Sequence, residues 1–281
     1  MKPLSDTGRG DWLLDRVGEW ATVGGVAGTG FEAYVRILHP VRAWRGGTET
    51  RWRWAEVARR NERIMHPLVQ WFSLTDDEER LSFDDLWQAG QSEDGQLAAD
   101  LLAALTTPLG HNTATPDQVT AGVWNGWGEL DVDGGGLMLV FPESVDPSER
   151  ERERAHAEAE WRAERRRAVS PDVQRMLADG PVLQWPGREY LLFDTSLSEL
   201  ADPEWVVDAG IARLMPQLLW PADRTWVVAS EIDWDSTVVA GPRALIDEIL
   251  VSAVWESFEV AERSDLSWDG DVINPRPPGR G

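Results

Sequence analysis

One segment restricts the fold more than any other, because it holds two apolar runs joined by a short polar turn. In "TWVVASEIDWDSTVVAG", Thr225 to Gly241, valine-rich runs flank the acidic turn Asp233-Trp234-Asp235. Two such runs separated by a few polar residues are typical of a β-hairpin. The strands of a hairpin are antiparallel. The segment therefore predicts an antiparallel sheet near the end of the chain.

The rest of the chain mixes short strands and helices without a regular strand–helix alternation. The strands that we expect to pair in one sheet are Phe31–His39, Thr120–Trp124, Glu189–Phe193, Trp226–Ile232 and Thr237–Ala240. A helix at Arg243–Ser257 is expected to pack on that sheet. This order favours an α+β fold with a mainly antiparallel sheet.

Several shorter segments carry weaker local patterns. Spacing of Leu14 and Val17 predicts a helix over Asp11–Ala21, and the glycines of "GGVAGTG" predict a flexible connector after it. "PLVQWFSL" and "DVDGGGLMLVF" have strand composition, and Ser82 in "SFDDLWQAG" resembles a helix cap.

We expect one integrated domain over residues 1–262, with a charged helical insertion at 148–169 and a mobile tail at 263–281. The insertion, "SERERERAHAEAEWRAERRRA", is mostly Ala, Glu and Arg. Pairs such as Glu158 and Arg162 support a solvated helix, and the absence of an apolar stripe leaves it little to bury. The tail ends in "NPRPPGRG", whose composition is typical of a poorly ordered terminus.

The chain is strongly acidic, with 27 Lys and Arg against 49 Asp and Glu, a net charge of −22. This balance argues against nucleic acid or an anionic membrane as a partner, since both need a basic face. It suits a basic protein partner, although solubility alone is the more common explanation of such acidity. Residues 31–71 are locally basic, which predicts that acidic and basic faces meet within the fold or across a homodimer.

The chain has no cysteine and only four histidines. Disulfides, thiol catalysis and the usual Cys/His zinc sites are therefore excluded. The first residues, "MKPLSDTGRGDW", lack an apolar signal-peptide core, and no run is long and apolar enough to span a bilayer. We expect a cytoplasmic protein without a cofactor.

The acidic turn admits three interpretations. Its D-W-D-S-T string resembles the nucleophile loop of haloacid-dehalogenase-type phosphatases, but that fold needs further strand–helix units and a lysine downstream, and Lys2 is the only lysine. Strand alternation would place Glu231, Asp233 and Asp235 on one face, where their oxygens would suit Mg²⁺ or Ca²⁺. Turn geometry explains the same acids without a ligand. We predict a hairpin end and no metal site.

Two histidines support an alternative function as a small-molecule enzyme. His39 and His66 each precede a proline, and either could act as a base beside a nearby carboxylate. No G-x-S-x-G motif supplies a nucleophile. A histidine in this setting is more often a hydrogen-bonded structural residue.

Tryptophan is unusually frequent, with 17 residues. Tryptophans near acids and turns are typical of protein-binding hot spots, although a tryptophan-rich core is the competing interpretation. We predict no catalytic residues and one acidic-aromatic binding surface, formed by Trp124, Trp127, Glu129, Glu231, Asp233, Trp234 and Asp235. The resulting hypothesis is a non-enzymatic interaction protein, immunity- or adaptor-like, that binds a basic partner.

Several strings, among them "FEAYVRILHPV", "VTAGVWNGWGEL" and "REYLLFDTSL", together resemble an uncharacterised family of proteins from Streptomyces and related actinobacteria. The resemblance runs from about Phe31 to Leu250, with the charged segment as an insertion. It implies one integrated domain and brings no catalytic residues. The strand–D-x-D-S-T–strand–helix ending is also similar in architecture to small immunity proteins of bacterial toxin systems, which is an analogy.

Overall fold

The computed structural model of the chain describes residues 1–76, 78–132, 134 and 146–274. The strands in this part are β1 (Lys2–Pro3), β2 (Ala33–Leu38), β3 (Val41–Arg45), β4 (Thr48–Trp52), β5 (Leu81–Ser82), β6 (Gln88–Ser92), β7 (Val119–Trp124), β8 (Leu183–Trp185), β9 (Arg188–Thr195), β10 (Leu218–Pro221), β11 (Val227–Ser230), β12 (Ser236–Gly241) and β13 (Glu256–Val260). The helices are α1 (Asp11–Leu14), α2 (Val23–Ala27), α3 (Trp54–Arg60), α4 (Trp71–Thr75), α5 (Ala99–His111), α6 (Pro147–Ala168), α7 (Pro171–Asp179), α8 (Leu197–Leu200), α9 (Trp205–Asp208) and α10 (Arg243–Val251).

The larger of two antiparallel sheets has the strand order β1-β9-β7-β10-β11-β12-β2-β13, with β8 paired to the same edge of β9 as β1. All five strands that the sequence predicts to pair are in this sheet, as β2, β7, β9, β11 and β12. The β11–β12 pairing confirms the hairpin. Mixed helices with antiparallel sheets make this an α+β fold, as predicted.

Each face of the large sheet carries its own apolar core. On one face, α5, α7 and α10 pack with alternate strand residues such as Val35, Phe193 and Val239. On the other face, α1, α2 and β8 pack with Tyr34, Leu192 and their neighbours. Because side chains alternate between the two faces of a strand, the six inner strands β2, β7, β9, β10, β11 and β12 contribute to both cores. We call the second one the α2 face, since the sites described below lie on it.

The end of the chain differs from the predicted long helix. Helix α10 packs on the sheet as expected, but it ends at Val251 instead of Ser257. The remaining residues form β13, which pairs with β2 and becomes the edge strand. Pairing with β2 gives hydrogen-bond partners to the backbone groups of Glu256–Val260 that face that strand.

The smaller sheet has the order β4-β3-β6-β5 and was not predicted from the sequence. Its core is formed with α3 and α4 around Trp54, which is fully buried. Two local predictions are wrong here. The apolar run "PLVQWFSL" is a loop leading into α4, and the segment after Ser82 is the β5–β6 hairpin. Short apolar runs do not distinguish strand from helix, because the period is too short to read.

The glycine-rich segment "GGVAGTG" is not a flexible connector. The expected helix over Asp11–Ala21 ends at Leu14, and the segment contributes most of α2, which Thr22 caps through the amide of Gly25. A Cβ on Gly25 would overlap the carbonyl oxygen of Glu19. The glycine therefore allows the turn around Glu19 to lie directly against α2.

The charged segment forms α6, with Asp146 as its N-cap, and its side chains are mostly exposed. Residues 263–274 do not behave as the mobile tail that the sequence predicts. Leu266, Asp271 and Asn274 are buried, and Asp271 accepts hydrogen bonds from His66 and from the amide of Gln70. The run "DVDGGGLMLVF" lies almost wholly outside the described residues, as do residues 275–281.

The locally basic segment, residues 31–71, forms its ion pairs within the fold. Six of its eight arginines contact carboxylates of the same chain, in the pairs Arg36–Asp235, Arg42–Glu93, Arg51–Asp100, Arg59–Glu56, Arg60–Glu56, Arg60–Asp85 and Arg63–Asp76. This is the first of the two arrangements that the charge asymmetry predicts; the homodimer stays a prediction. None of the helices in the described ranges combines the length and the apolar character that a membrane span requires.

Candidate functional site

The acids of the predicted surface lie at one end of the large sheet. Strand β7 ends at Trp124 opposite Tyr190 near the start of β9, and Ser230 at the end of β11 pairs with Thr237 near the start of β12. Since neighbouring strands are antiparallel, these four strand ends meet at the same end of the sheet. The loop Glu231–Asp235 connects β11 to β12 there.

This loop is fixed by backbone hydrogen bonds. Trp234 donates to the carbonyl of Glu231 at 3.0 Å, and the amide of Gly95 donates to the carbonyl of Trp234 at 2.8 Å. Gly95 has φ +69°, and a Cβ there would lie 2.8 Å from the backbone of Ile232. The three acids do not share a strand face as predicted, because the strands stop at Ser230 and resume at Ser236.

Arg188, the first residue of β9, binds two of these acids. Its Nη2 lies 2.6 Å from Glu231 and 2.6 Å from Asp233, and its guanidinium lies 5.7 Å from the ring centroid of Trp124. Burial raises the pKa of Glu231, while the charge of Arg188 opposes that rise. The structure thus brings Trp124, Glu231 and Asp233 together through an arginine that the sequence analysis did not select.

A cleft of about 350 Å³ opens beside this arginine on the α2 face. We call it the acidic cleft; the side chains that give it its chemistry are Trp20, Trp185, Arg188, Glu231, Asp233 and Trp234. Trp20 is 87% exposed, whereas Trp185 is buried in the core below. Indole rings therefore line the cleft, which contains two carboxylates and one guanidinium group.

Trp20 reaches the cleft because of the turn that precedes α2. The amide of Gly18 donates to the carbonyl of Gly24, and Ala21 has a left-handed backbone with φ 60°. This tight path turns Trp20 outward instead of placing it on the buried side of a continuous helix. Trp20 was not predicted from the sequence, because only the tertiary fold brings it beside the acidic turn.

Two members of the predicted surface, Trp127 and Glu129, lie in the segment that follows β7 at the same end of the sheet. The Trp127 ring meets the Trp124 ring edge-on, with centroids 5.5 Å apart, and packs partly on the core. Glu129 is exposed, and no hydrogen bond or ion pair joins its side chain to the described residues. Neither residue lines the acidic cleft.

Asp235 faces a different neighbour, the buried guanidinium of Arg36. The two groups are 3.8 Å apart, and Arg36 also donates to Ser236 and to the carbonyls of Pro67 and Val69. Burial raises the pKa of Asp235 to about 7, against the charge of Arg36. The side chain lines a separate hollow of about 140 Å³ behind Trp234, and so it is a structural neighbour of the cleft.

His39 is buried and hydrogen-bonded at both ring nitrogens. Nδ1 lies 2.6 Å from the carbonyl oxygen of Glu93, which can only accept, so Nδ1 carries the proton and Nε2 accepts from the Thr237 hydroxyl at 2.8 Å. Burial lowers the pKa of His39 to about 4. Among the described residues its ring nitrogens meet a carbonyl and a hydroxyl and no carboxylate, which fits a structural residue.

His66 does meet a carboxylate, with Nε2 2.8 Å from Asp271. That carboxylate also accepts from the amides of Gln70, Ile273 and Asn274. These hydrogen bonds hold the pKa of Asp271 low, although its burial acts in the opposite direction. The pair anchors residues 271–274 to the loop before α4. The enzymatic alternative stays a prediction, since this contact is explained by anchoring.

Metal chemistry has no matching geometry in the part of the chain that the structure describes. No group of three or more His, Asp or Glu side chains there is arranged to hold a metal ion.

Comparisons with protein-family models, with curated proteins and with solved structures find no match. The resemblance to an actinobacterial family therefore stays a prediction, and function has to be argued from the cleft itself.

Proposed function

We propose that the chain is a binding protein that takes a cationic side chain of a basic partner protein into the acidic cleft. A cation over an indole face is attracted by the negative charge of the ring. The cleft offers such faces from Trp20 and Trp234 beside the carboxylates of Glu231 and Asp233. Arg188 neutralises only one of the two carboxylates, so the cleft keeps a net negative charge.

The observation that carries this proposal is the exposure of Trp20. An indole that is 87% exposed buries little apolar area in the free protein. The tight glycine packing beneath it nevertheless holds the turn in one place. Tryptophan is one of the residues enriched among the hot spots that dominate binding energy at protein interfaces.

The charge of the whole chain supports the same partner chemistry. A net charge of −22 attracts a basic protein over a distance and raises its rate of association. The immunity- or adaptor-like role and a cytoplasmic location belong to this proposal and rest on the sequence. The acidic cleft is what distinguishes a specific partner from general charge attraction.

The experiment captures basic proteins from a host lysate on the immobilised full chain, identifies them, and titrates each purified candidate by calorimetry. Trp20→Ala should weaken binding at least about tenfold, as expected for a hot spot. Asp233→Asn should weaken binding less and reduce its dependence on salt. Trp20 is exposed, so truncating it leaves the core intact.

The matched controls change the same chemistry elsewhere. Val251→Ala removes an apolar side chain that is 84% exposed, and Asp208→Asn removes an exposed charge. Both controls should bind like the unchanged chain. Equal affinity of Trp20→Ala and the unchanged chain for every captured protein would rule out the cleft as the contact site.

A further inference from the structure

A second pocket lies on the same face of the sheet, at the opposite ends of the strands. Strand register places Asp194, Thr120 and Trp220 side by side on β9, β7 and β10, since Thr120 pairs with both of the others. Directly paired residues point to the same face of a sheet. Thr120 and Trp220 belong to the α2 face, because their neighbours Val119 and Leu219 belong to the opposite core.

Two arginines border this row. Arg9, in the short 3-10 helix Thr7–Gly10, lies 2.7 Å from Asp194. Arg224 follows β10 with a left-handed backbone, and its guanidinium lies 5.5 Å from the ring centroid of Trp12. Within the described residues, Arg224 has no carboxylate at ion-pair distance. This site therefore contains one carboxylate and two guanidinium groups.

The pocket has a volume of about 450 Å³. We call it the arginine pocket; the side chains that supply its polar groups are Arg9, Gln118, Thr120, Asp194, Trp220 and Arg224. Apart from Asp194, which Arg9 already binds, each of these groups can donate a hydrogen bond. Such a lining is unexpected in a chain whose acids greatly outnumber its bases.

Two donors in the floor of the pocket lack partners. Thr120 is 4% exposed and Trp220 is 2% exposed, yet neither the hydroxyl nor the indole N–H bonds to any described residue. Neither atom is among the polar side-chain atoms that the fold encloses completely without a partner. Both therefore open onto the pocket that they line. Both donors are therefore available to an acceptor group of a ligand in the pocket.

We propose that the arginine pocket binds the phosphate group of a small molecule between Arg9 and Arg224. A phosphate offers several strong acceptor oxygens, and guanidinium groups match them in charge and geometry. The hydroxyl of Thr120 and the indole N–H of Trp220 reach the group from the strands below. A planar carboxylate has only two oxygens, so it cannot serve donors from two loops and the sheet floor equally well. This site is independent of the acidic cleft, which selects cations.

The first test titrates inorganic phosphate into the full chain labelled with ¹⁵N, at constant ionic strength held with chloride, and follows the tryptophan indole signals. The signal of Trp220, assigned from its loss in Trp220→Phe, should shift and saturate in the millimolar range, because its N–H gains an acceptor. The indole signals of Trp20 and Trp268, which lie outside the pocket, should not move. An unmoved Trp220 signal would overturn the proposal.

The variants separate binding from folding. Thr120→Val keeps the shape of a side chain whose hydroxyl has no partner in the free protein, so stability should be unchanged while phosphate affinity falls about tenfold. Arg224→Gln should weaken phosphate binding by at least as much. Arg243→Gln is the matched control, because it removes a half-exposed arginine remote from the pocket. Equal phosphate affinity in Thr120→Val and the unchanged chain would show that the pocket is not the site.

A second probe tests the class of anion. Succinate, a dicarboxylate of similar charge, should shift the Trp220 signal at least about tenfold more weakly than phosphate if tetrahedral geometry decides recognition. Equal or tighter succinate binding would overturn the assignment to phosphate. A shift that appears with phosphate but persists in Arg224→Gln would do the same, since general ionic effects do not depend on that side chain.

Discussion

The two ends of the α2 face differ in how their arginines are held. In the acidic cleft, Arg188 binds two carboxylates and its charge is more than neutralised. In the arginine pocket, Arg9 shares one carboxylate and Arg224 has none among the described residues. A single strand, β9, runs from Arg188 in the cleft to Asp194 in the pocket, a distance of roughly 20 Å at 3.3 Å per residue.

Charge composition alone therefore does not describe this surface. The chain is strongly acidic, yet one face of its sheet carries a cleft in which carboxylates outnumber guanidinium groups and a pocket in which guanidinium groups outnumber carboxylates. The two ends also differ below the surface. The acidic end rests on Arg36, which is buried and donates to three separate acceptors, whereas the pocket arginines have exposed side chains. Removing the arginine should therefore lower the free energy of unfolding at the acidic end and change it little at the pocket end.

Substitution of Arg36 should lower the free energy of unfolding more than any other change considered. Arg36→Met leaves Asp235 without its counter-charge and leaves the carbonyls of Pro67 and Val69 unpaired. Removing one partner of a buried pair costs about 3–5 kcal/mol. Arg224→Met, at the other end, should change the free energy of unfolding by about 0.5 kcal/mol or less. Urea denaturation followed by near-ultraviolet circular dichroism measures both, and equal losses would remove the proposed distinction.

The large sheet was predictable because its strands are apolar, and the small sheet was not because its strands are polar. Strand β4 is almost entirely exposed, so it has no apolar alternation to detect. The Gly46-Gly47 dipeptide between β3 and β4 is typical of a hairpin turn, but the polar residues of β4 beside it do not look like a strand. At the site, the sequence selected Glu231 and Asp233 from their turn. Arg188 and Trp20 could not be selected, since only the tertiary fold brings them to that turn.

The second prediction concerns pH and also distinguishes the acidic end. Burial lowers the pKa of His39 to about 4, so its contribution to stability is present above pH 6.5 and is lost as pH falls towards 4. That contribution is roughly 3 kcal/mol. Burial raises the pKa of Asp235 to about 7, so its contribution is present below its unfolded pKa and is lost as pH rises through 7. The two groups oppose each other between pH 4 and 6.5.

Two variants separate these contributions. His39→Gln should become more stable relative to the unchanged chain as pH falls from 6.5 to 4, and Asp235→Asn should become less stable relative to it over the same range. Arg36 acts on both groups and Asp94 acts on Asp235, so both stay unchanged in the variants. Free energies of unfolding at several pH values give the differences. Parallel curves for the three proteins would contradict the assigned pKa shifts.

The third prediction is that removing an arginine raises ligand affinity in the acidic cleft and lowers it in the arginine pocket. Arg188→Gln leaves Glu231 and Asp233 unpaired, so we expect the free energy of unfolding to fall by about 1–2 kcal/mol, while affinity for a cationic partner rises with the added negative charge. Arg9→Gln leaves Asp194 unpaired in the arginine pocket and should weaken phosphate binding. Calorimetric titration of both variants against both ligands provides the test. A loss of cation affinity in Arg188→Gln would mean that this arginine contacts the partner directly.

The smallest expected effect defines the border of the acidic cleft. Glu129 is exposed, lies outside the cleft and forms no hydrogen bond or ion pair with the described residues, so Glu129→Gln should leave the free energy of unfolding within about 0.5 kcal/mol of its original value. It should slow association with a basic partner by less than about twofold, because exposed charges are screened over roughly 8 Å at physiological salt. Asp233→Asn, inside the cleft, should have the larger effect on the measured association rate. If the two variants slowed association equally, the contact surface would extend along the edge to Trp127 and Glu129, and Trp20 would lose its place at the centre of the site.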